Sequence, residues 1–330
     1  MEIVASGIRP TGNMHLGNYF GAVKSFLKMQ YEYKCYFFIA DWHSLTTHPK
    51  PDDLRKSVKT ILAEYLACGL DPEKATIYVQ SDVREVVELY LYLNMCAYLG
   101  ELERVTTFKE KVRSQPDNVN AGLLTYPCLM ASDIIIHKAV KVPVGKDQEQ
   151  NMEMSRHLAR RFNNIYGVDF FPEPASYYFS DKAVKVPGLD GSGKMGKSEG
   201  NAIYLIDDEK TISKKVMRAV TDSGPTEPNC PKPEPIQNLF TMMKIVSTDD
   251  TYEYFDAKYN ACEIRYGDMK KQLAADINAF CAPIRERISD VIADDAYLER
   301  VMAQGAEKAS ASASKTLDEV RRIIGFKPYH

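Results

Sequence analysis

Lys194 and Lys197 stand among glycines in the stretch "GSGKMGKSEGN", Gly191 to Asn201. Letter for letter it matches the phosphate-binding pattern G-x-x-x-x-G-K-S/T, with Gly191, Gly196, Lys197 and Ser198 in register. That pattern makes a phosphate cradle only between a strand and a helix opening at its Lys-Ser pair. The residues that follow, "EGNAIYLIDD", do not fit. Gly200 and Asn201 break a helix, and "AIYLI" reads as a short apolar strand. Context therefore excludes a P-loop nucleotidase, and the two lysines need another phosphate partner.

A second loop, "SGIRPTGNMHLGN", lies between an apolar run and a helical one and ends in His15, Gly17 and Asn18. Helix starts present unpaired N–H groups and the positive end of the dipole, which suit phosphate. Gly17 lets a nucleotide approach the backbone, while His15 and Asn18 are neutral donors able to follow charge on a phosphoryl group. Alone, the loop reads more simply as a helix cap with a surface histidine.

In "GLLTYPCLMASDIIIHKA", Tyr126, Met130, Asp133 and His137 fall on one helix face. Asp133 stands among Leu129, Met130 and three isoleucines, so its carboxylate is expected to be at least partly buried and to need a donor. A ligand-binding and a salt-bridged structural aspartate fit the residues equally well.

The elements that must position these groups read as follows. "EIVAS", "CYFFIA" and "ATIYVQ" are strand-like. They alternate with helical patterns in "MHLGNYFGAVKSFLKMQYEY" and "PDDLRKSVKTILAEYLACG", and Asp82 with Glu85 looks like an N-cap before "VREVVELYLYLNMCAYLG". Continuous apolar strands alternating with helices predict an α/β fold with a parallel sheet covered on both faces. From about Thr211 the pattern is helical, with the Pro-rich "SGPTEPNCPKPEPIQ" as a turn or linker. The expected division is a Rossmann-like nucleotide-binding domain over 1–205, with a helical insertion at about 83–139, then an all-α domain over 206–330.

Taken together, His15-Leu16-Gly17-Asn18 and Lys194-Met195-Gly196-Lys197-Ser198 resemble the two signatures of class I aminoacyl-tRNA synthetases in order and separation. "FIADWHSLTT", "GELERVTTFKEK", "VPVGKDQEQN" and "RAVTDS", with the Asp133 segment, look like the tryptophanyl branch. These motifs run from Gly7 to about Ser223, and "AQGAEKASA" extends the likeness. The resemblance implies activation of L-tryptophan by ATP with Mg²⁺, then transfer to the terminal adenosine of tRNA(Trp), releasing AMP and diphosphate. The matched positions put Lys111, Lys194 and Lys197 on the phosphates with His15 and Asn18. Arg9, Pro10, Thr11, Gly12, Gly17, Met195, Gly196 and Ser198 lie along the ATP, with Gly145 and Asp147 near its ribose. Gly7, His43, Tyr126, Met130, Asp133 and Gln148 would line the tryptophan site. Asp147 reads equally as a helix N-cap and His43 as a structural histidine. The helical half then resembles an anticodon-reading domain.

Family members are homodimers bridged by tRNA. The apolar helix "VVELYLYLNMCAYLG" is a candidate interface, though burial within its own subunit reads as well. An indole-binding Asp133 would reject phenylalanine by about 10⁴-fold or more without editing, since the analogue leaves the carboxylate unpaired. One position departs from the family: Gly196 replaces the usual serine. The runner-up is a tyrosyl-tRNA synthetase, against which "LMASDI" favours indole. A non-catalytic paralogue should have lost the signature lysines or "HLGN", which this chain keeps.

Composition bounds the remaining classes. The 330 residues are 45% hydrophobic and 26% charged, as in ordinary globular proteins. No apolar run reaches membrane-span length, and the first residues lack a signal pattern. The seven cysteines are scattered without a CxxC pair, so reduced buried thiols are expected rather than a metal site, which favours the cytoplasm. A net charge of −3 gives no global signature of DNA binding and leaves a polyanion only local patches. Candidates are Lys109, Lys111 and Arg113; Arg156, Arg160 and Arg161; and Lys214, Lys215 and Arg218.

Overall fold

The computed structural model describes residues 1–145, 148–177, 186–191, 193–197 and 199–326. Its strands are β1 Ile3–Ile8, β2 Lys34–Ile39, β3 Ala75–Val79, β4 Lys141–Pro143 and β5 Ala175–Tyr177. The first helices are α1 Leu16–Asn18, which runs through a π-helical stretch at Tyr19–Val23 into α2 Lys24–Glu32, then α3 Asp41–Ser44 and α4 Pro51–Ala67. Between β3 and β4 come α5 Glu85–Cys96, α6 Leu99–Leu102, α7 Thr106–Ser114 and α8 Ala121–Ile135. Then follow α9 Glu149–Tyr166, α10 Glu209–Met217, α11 Glu234–Val246, α12 Asp249–Asn260, α13 Tyr266–Ala293 and α14 Asp295–Ile324.

The chain divides into two compact units: Met1–Gly12 with Ser25–Asp181 and Asp294–His330, and Asn13–Lys24 with Lys182–Ala293. The first unit holds the sheet, in the order β3-β2-β1-β4-β5 with every pairing parallel. Parallel strands are covered on both faces, which is why β2 reads as an unbroken apolar run: only Lys34 of its residues is exposed. Chain order reverses at β1, between β2 and β4, and ligands of such sheets sit beyond the carboxyl ends near that switch.

Helix α14 belongs to this first unit. The residues expected as one C-terminal helical domain are thus shared, with α10–α13 in the second unit and α14 in the first. The reason lies in small residues four apart. Gly305, Ala309 and Ala313 are buried, and a Cβ on Gly305 would fall 1.7 Å from the Ile77 carbonyl oxygen of β3. The alternating Ala/Ser run is amphipathic in a polar sense. Ala309 and Ala313 pack while Ala311 is exposed, and Ser314 donates to Glu85 Oε1 at 2.6 Å and Ser312 meets His137 Nδ1 at 3.1 Å.

Three local expectations are corrected. Asp82 does not cap α5; it sits in a 3₁₀ turn at Gln80–Asp82, and Arg84 occupies the N-cap without a side-chain bond. "AIYLI" is not a strand: Ala202, Ile203 and Leu205 are buried, but only Tyr204 bridges, antiparallel, to His15. The cysteines are free, yet Cys230 is only half-buried and Cys262 is exposed. In the second unit, Lys270 of α13 turns inward to donate to the Ala219 carbonyl at 2.7 Å and Thr221 Oγ1 at 3.2 Å, closing the end of α10. The long helical pattern after Cys262 breaks at Asp294, whose side chain accepts from Tyr297 N at 2.9 Å and starts α14.

Candidate active site

In the first unit, polar side chains collect at the carboxyl ends of β2 and β3. Asp133, on α8, is 1% exposed. Its Oδ1 and Oδ2 accept from Gln80 Nε2 at 2.7 and 2.9 Å, and Oδ2 also pairs with His43 Nε2 at 2.8 Å. Burial pushes the Asp133 carboxyl up, and the hydrogen bonds from His43 and Gln80 pull it down; burial prevails. Gln80 caps the end of β3 and is itself held, its Oε1 accepting from Trp42 N at 3.1 Å. Asp41 accepts from Trp42 N and Ser81 N, both at 3.0 Å, tying the two strand ends together. The His43 ring lies 4.4 Å from the Tyr126 ring, and both border a cleft of about 260 Å³ with Trp42, Tyr90 and Leu129.

Of the residues expected at a tryptophan site, His43, Tyr126 and Asp133 are therefore joined by contact or through one another. Met130 is half-buried on the same helix, against the core of this unit. Gly7 lies on β1, where any Cβ would strike the Phe38 ring at 2.3 Å. Gln148 is the N-cap residue of α9, and its Oε1 accepts from Asn151 Nδ2 at 3.0 Å. Gly145 precedes it, its carbonyl accepting from Gln148 N at 2.9 Å. Asp147 lies outside the described residues. Arg9, Pro10, Thr11 and Gly12 form the loop after β1, with Thr11 N donating to Arg9 O at 2.9 Å. Lys111 is exposed in the last turn of α7 and makes no ion pair among the described residues. His137 leaves this group: beyond the end of α8 it stacks on Tyr36 at 4.0 Å and meets Tyr78 Oη at 3.0 Å.

The second unit joins the two signature loops. His15 caps α1 in a reciprocal box, its Nδ1 accepting from Asn18 N at 3.3 Å while its N–H donates to Asn18 Oδ1 at 3.2 Å. Leu16 N donates to Ile203 O, and Leu205 N to Met14 O, both at 3.0 Å. Those bonds fasten the segment after the lysine loop to the start of α1. A Cβ on Gly17 would fall 2.8 Å from His15 Nδ1, so only glycine leaves the ring in place. Burial, then Lys197, then Lys194 lower the His15 pKa to about 4. The ring is neutral at pH 7, and because Nδ1 accepts, Nε2 carries the proton.

Asn201 organises the lysine loop. It is 5% exposed; its Oδ1 accepts from Gly196 N at 2.9 Å, and its Nδ2 donates to Asp190 Oδ1 at 2.9 Å and Lys194 O at 3.2 Å. Met195 is buried, with its N–H on Val186 O at 2.9 Å, while Lys194 is exposed and Lys197 half-exposed. Ser198 lies outside the described residues. Gln80 and Asn201 were missed in the sequence. Each carried a signal: a polar residue closing an apolar strand, and an asparagine after a glycine just past the lysines.

The family model for class I tRNA synthetases (W and Y) matches residues 2–282. A tryptophan–tRNA ligase of Porphyromonas gingivalis is 74% identical over 99% of this chain and 100% of its own. One of Clostridium tetani is 40% identical over 98% and 96%. The crystal structure of tryptophanyl-tRNA synthetase from Campylobacter jejuni complexed with ADP and tryptophan superposes with a TM-score of 0.88 at 33% identity, covering 98% of this chain and 100% of that one.

Proposed function

Because the chain belongs to the class I tRNA synthetases of the tryptophan and tyrosine branch, we infer that its two polar clusters serve the two substrates of one reaction. The enzyme is a tryptophan–tRNA ligase. It forms tryptophanyl-adenylate from L-tryptophan and ATP, then passes the tryptophanyl group to the 3′-terminal adenosine of tRNA(Trp).

The observation that carries the assignment of residues is the buried Asp133, a carboxylate held by Gln80 and His43 with acceptor capacity for one more donor. Asp133 accepts the indole N–H, with His43, Tyr126 and Met130 as neighbours and Gln148 toward the amino acid's polar end. In the first step, a tryptophan carboxylate oxygen attacks the α-phosphorus in line, the bond to the bridging oxygen breaks, and diphosphate leaves with the electron pair. Protein catalysis of such a step is positioning plus electrostatics. Lys194, Lys197 and Lys111 offset charge growing on the diphosphate. His15 donates from Nε2–H to a phosphate oxygen, and being neutral it does so without fixing a full charge before the transition state. Asn18 adds a side-chain donor. Mg²⁺ enters with ATP as the Mg–ATP substrate. In the second step, the 2′-hydroxyl attacks the activated carbonyl carbon and AMP leaves.

The working particle is a homodimer. Val87, Leu91 and Met95 of α5, with Leu99 of α6, are each at least 44% exposed. They form an apolar row, and contiguous rows of this kind mark interfaces. Sedimentation should give twice the chain mass, and Leu91→Glu with Met95→Glu should give monomers. A reaction on tRNA, ATP and a free amino acid supports a cytoplasmic location. ATP–diphosphate exchange tests the reading directly: tryptophan should support exchange and tyrosine should not. Exchange with tyrosine alone would overturn it.

A further inference from the structure

Gln80 takes no part in the chemistry above, yet it is wholly buried and spends its entire amide on the specificity site. Its Nε2 reaches both oxygens of Asp133, at 2.7 and 2.9 Å, while its Oε1 is anchored by Trp42 N at 3.1 Å. An ionised carboxylate has about four lone-pair directions. On Asp133, Oδ2 is taken by Gln80 and by His43 at 2.8 Å, whereas among the described residues Oδ1 receives Gln80 alone. One acceptor direction on Oδ1 is thereby left for a third donor. Contact with both oxygens also fixes rotation about the Cβ–Cγ bond, which His43 on a single oxygen cannot do.

We propose that Gln80 is a specificity-determining positioning residue, which holds the Asp133 carboxylate so that Oδ1 faces the indole N–H of tryptophan. The inference rests on Asp133 being the indole acceptor. It accounts for a fully buried glutamine at a strand end whose backbone bonds could be made without it. Tying the amide to Trp42 N couples the carboxylate to the end of β2 rather than leaving it to α8 alone.

The test compares L-tryptophan with L-3-benzothienylalanine, in which sulfur replaces the indole N–H at nearly the same ring shape. Rates of ATP–diphosphate exchange are measured for the wild type, Gln80→Met and Asp133→Asn. Gln80→Met keeps the volume and removes both donations. It should lower kcat/KM for tryptophan by about tenfold or more, through KM, while benzothienylalanine changes by less than about twofold and the KM for ATP holds. The preference for tryptophan then collapses, as it does in Asp133→Asn. If Asp133→Asn loses the preference but Gln80→Met lowers both substrates in parallel, or neither, Gln80 is only structural and the inference fails while the Asp133 reading stands. If Asp133→Asn keeps the preference, Asp133 is not the acceptor and both fail. Should Gln80→Met not fold, Gln80→Asn, one methylene shorter, carries the same comparison.

Discussion

Burial takes the His15 pKa to about 4 with help from Lys197 and Lys194, in that order. Under the proposed mechanism the two lysines act twice, on phosphate charge and on the protonation state of the donor beside them. Lys197→Ala should slow tryptophan activation by about 10²-fold or more with the KM for tryptophan nearly unchanged, since the charge it meets develops only in the transition state. The same variant should raise the His15 pKa, though not to 6.5, because burial is the larger cause; NMR titration of the imidazole reads this. Gly196 invites the opposite kind of change. A Cβ there meets only Glu199 Cγ, at 3.5 Å, which is ordinary contact, and its N–H is engaged by Asn201. Gly196→Ser should leave the thermal midpoint within about a degree and kcat within about threefold, because surface substitutions that break nothing stay near neutral. Loss of folding would show that the loop depends on glycine.

At the level of elements, α14 is the helix whose place the pattern did not reveal. Its periodicity announces a helix, and its run of alanines and serines says that the buried side is narrow. Which surface receives a narrow side is decided by β3, some 230 residues earlier in the chain, where the Ile77 carbonyl lies under Gly305. Local patterning does not carry that pairing. Gly305→Ala must push α14 off the strand, since 1.7 Å to a carbonyl oxygen is impossible. A loss of at least about 1–3 kcal/mol, the usual range for overpacking, is expected in chemical denaturation. Ser312→Ala should cost about 1 kcal/mol, by leaving His137 Nδ1 without its partner. The bridge of Tyr204 to His15 teaches the same lesson. "AIYLI" has strand composition, but it contributes one rung to a loop rather than a strand to a sheet.

Over the whole molecule, β1, β2 and β3 were legible because they are apolar runs, whereas β5, three residues long and partly exposed, was not. The burial of Asp133 was legible because its neighbours in the sequence are apolar, but a ligand-binding and a structural aspartate read alike there. Its pairing was not: His43 was placed at the same site only by the resemblance and Gln80 not at all, because both come from other strand ends and meet Asp133 only through the topology. A similar gathering sets the response to acid. His137 is fully buried between Tyr36, Tyr78 and Ser312, and burial, then Lys34, lower its pKa to about 3. With His15 near 4, both imidazoles are neutral in the folded chain where the unfolded chain, at about 6.5, is already protonated. The unfolded state binds more protons in that window, so stability is full above pH 6.5 and falls as pH drops toward 4. Each histidine steepens the loss by up to about 1.4 kcal/mol per pH unit. Asp133 works against this, since its raised pKa lets the folded state hold a proton that the unfolded state releases. The contribution of one histidine is therefore read as a difference. Urea denaturation between pH 7 and 4.5 should give a shallower slope for His137→Gln than for the wild type, even though the variant is less stable at pH 7 for want of its Tyr36 stacking. Equal slopes would mean that His137 takes up its proton in the folded chain as readily as in the unfolded one.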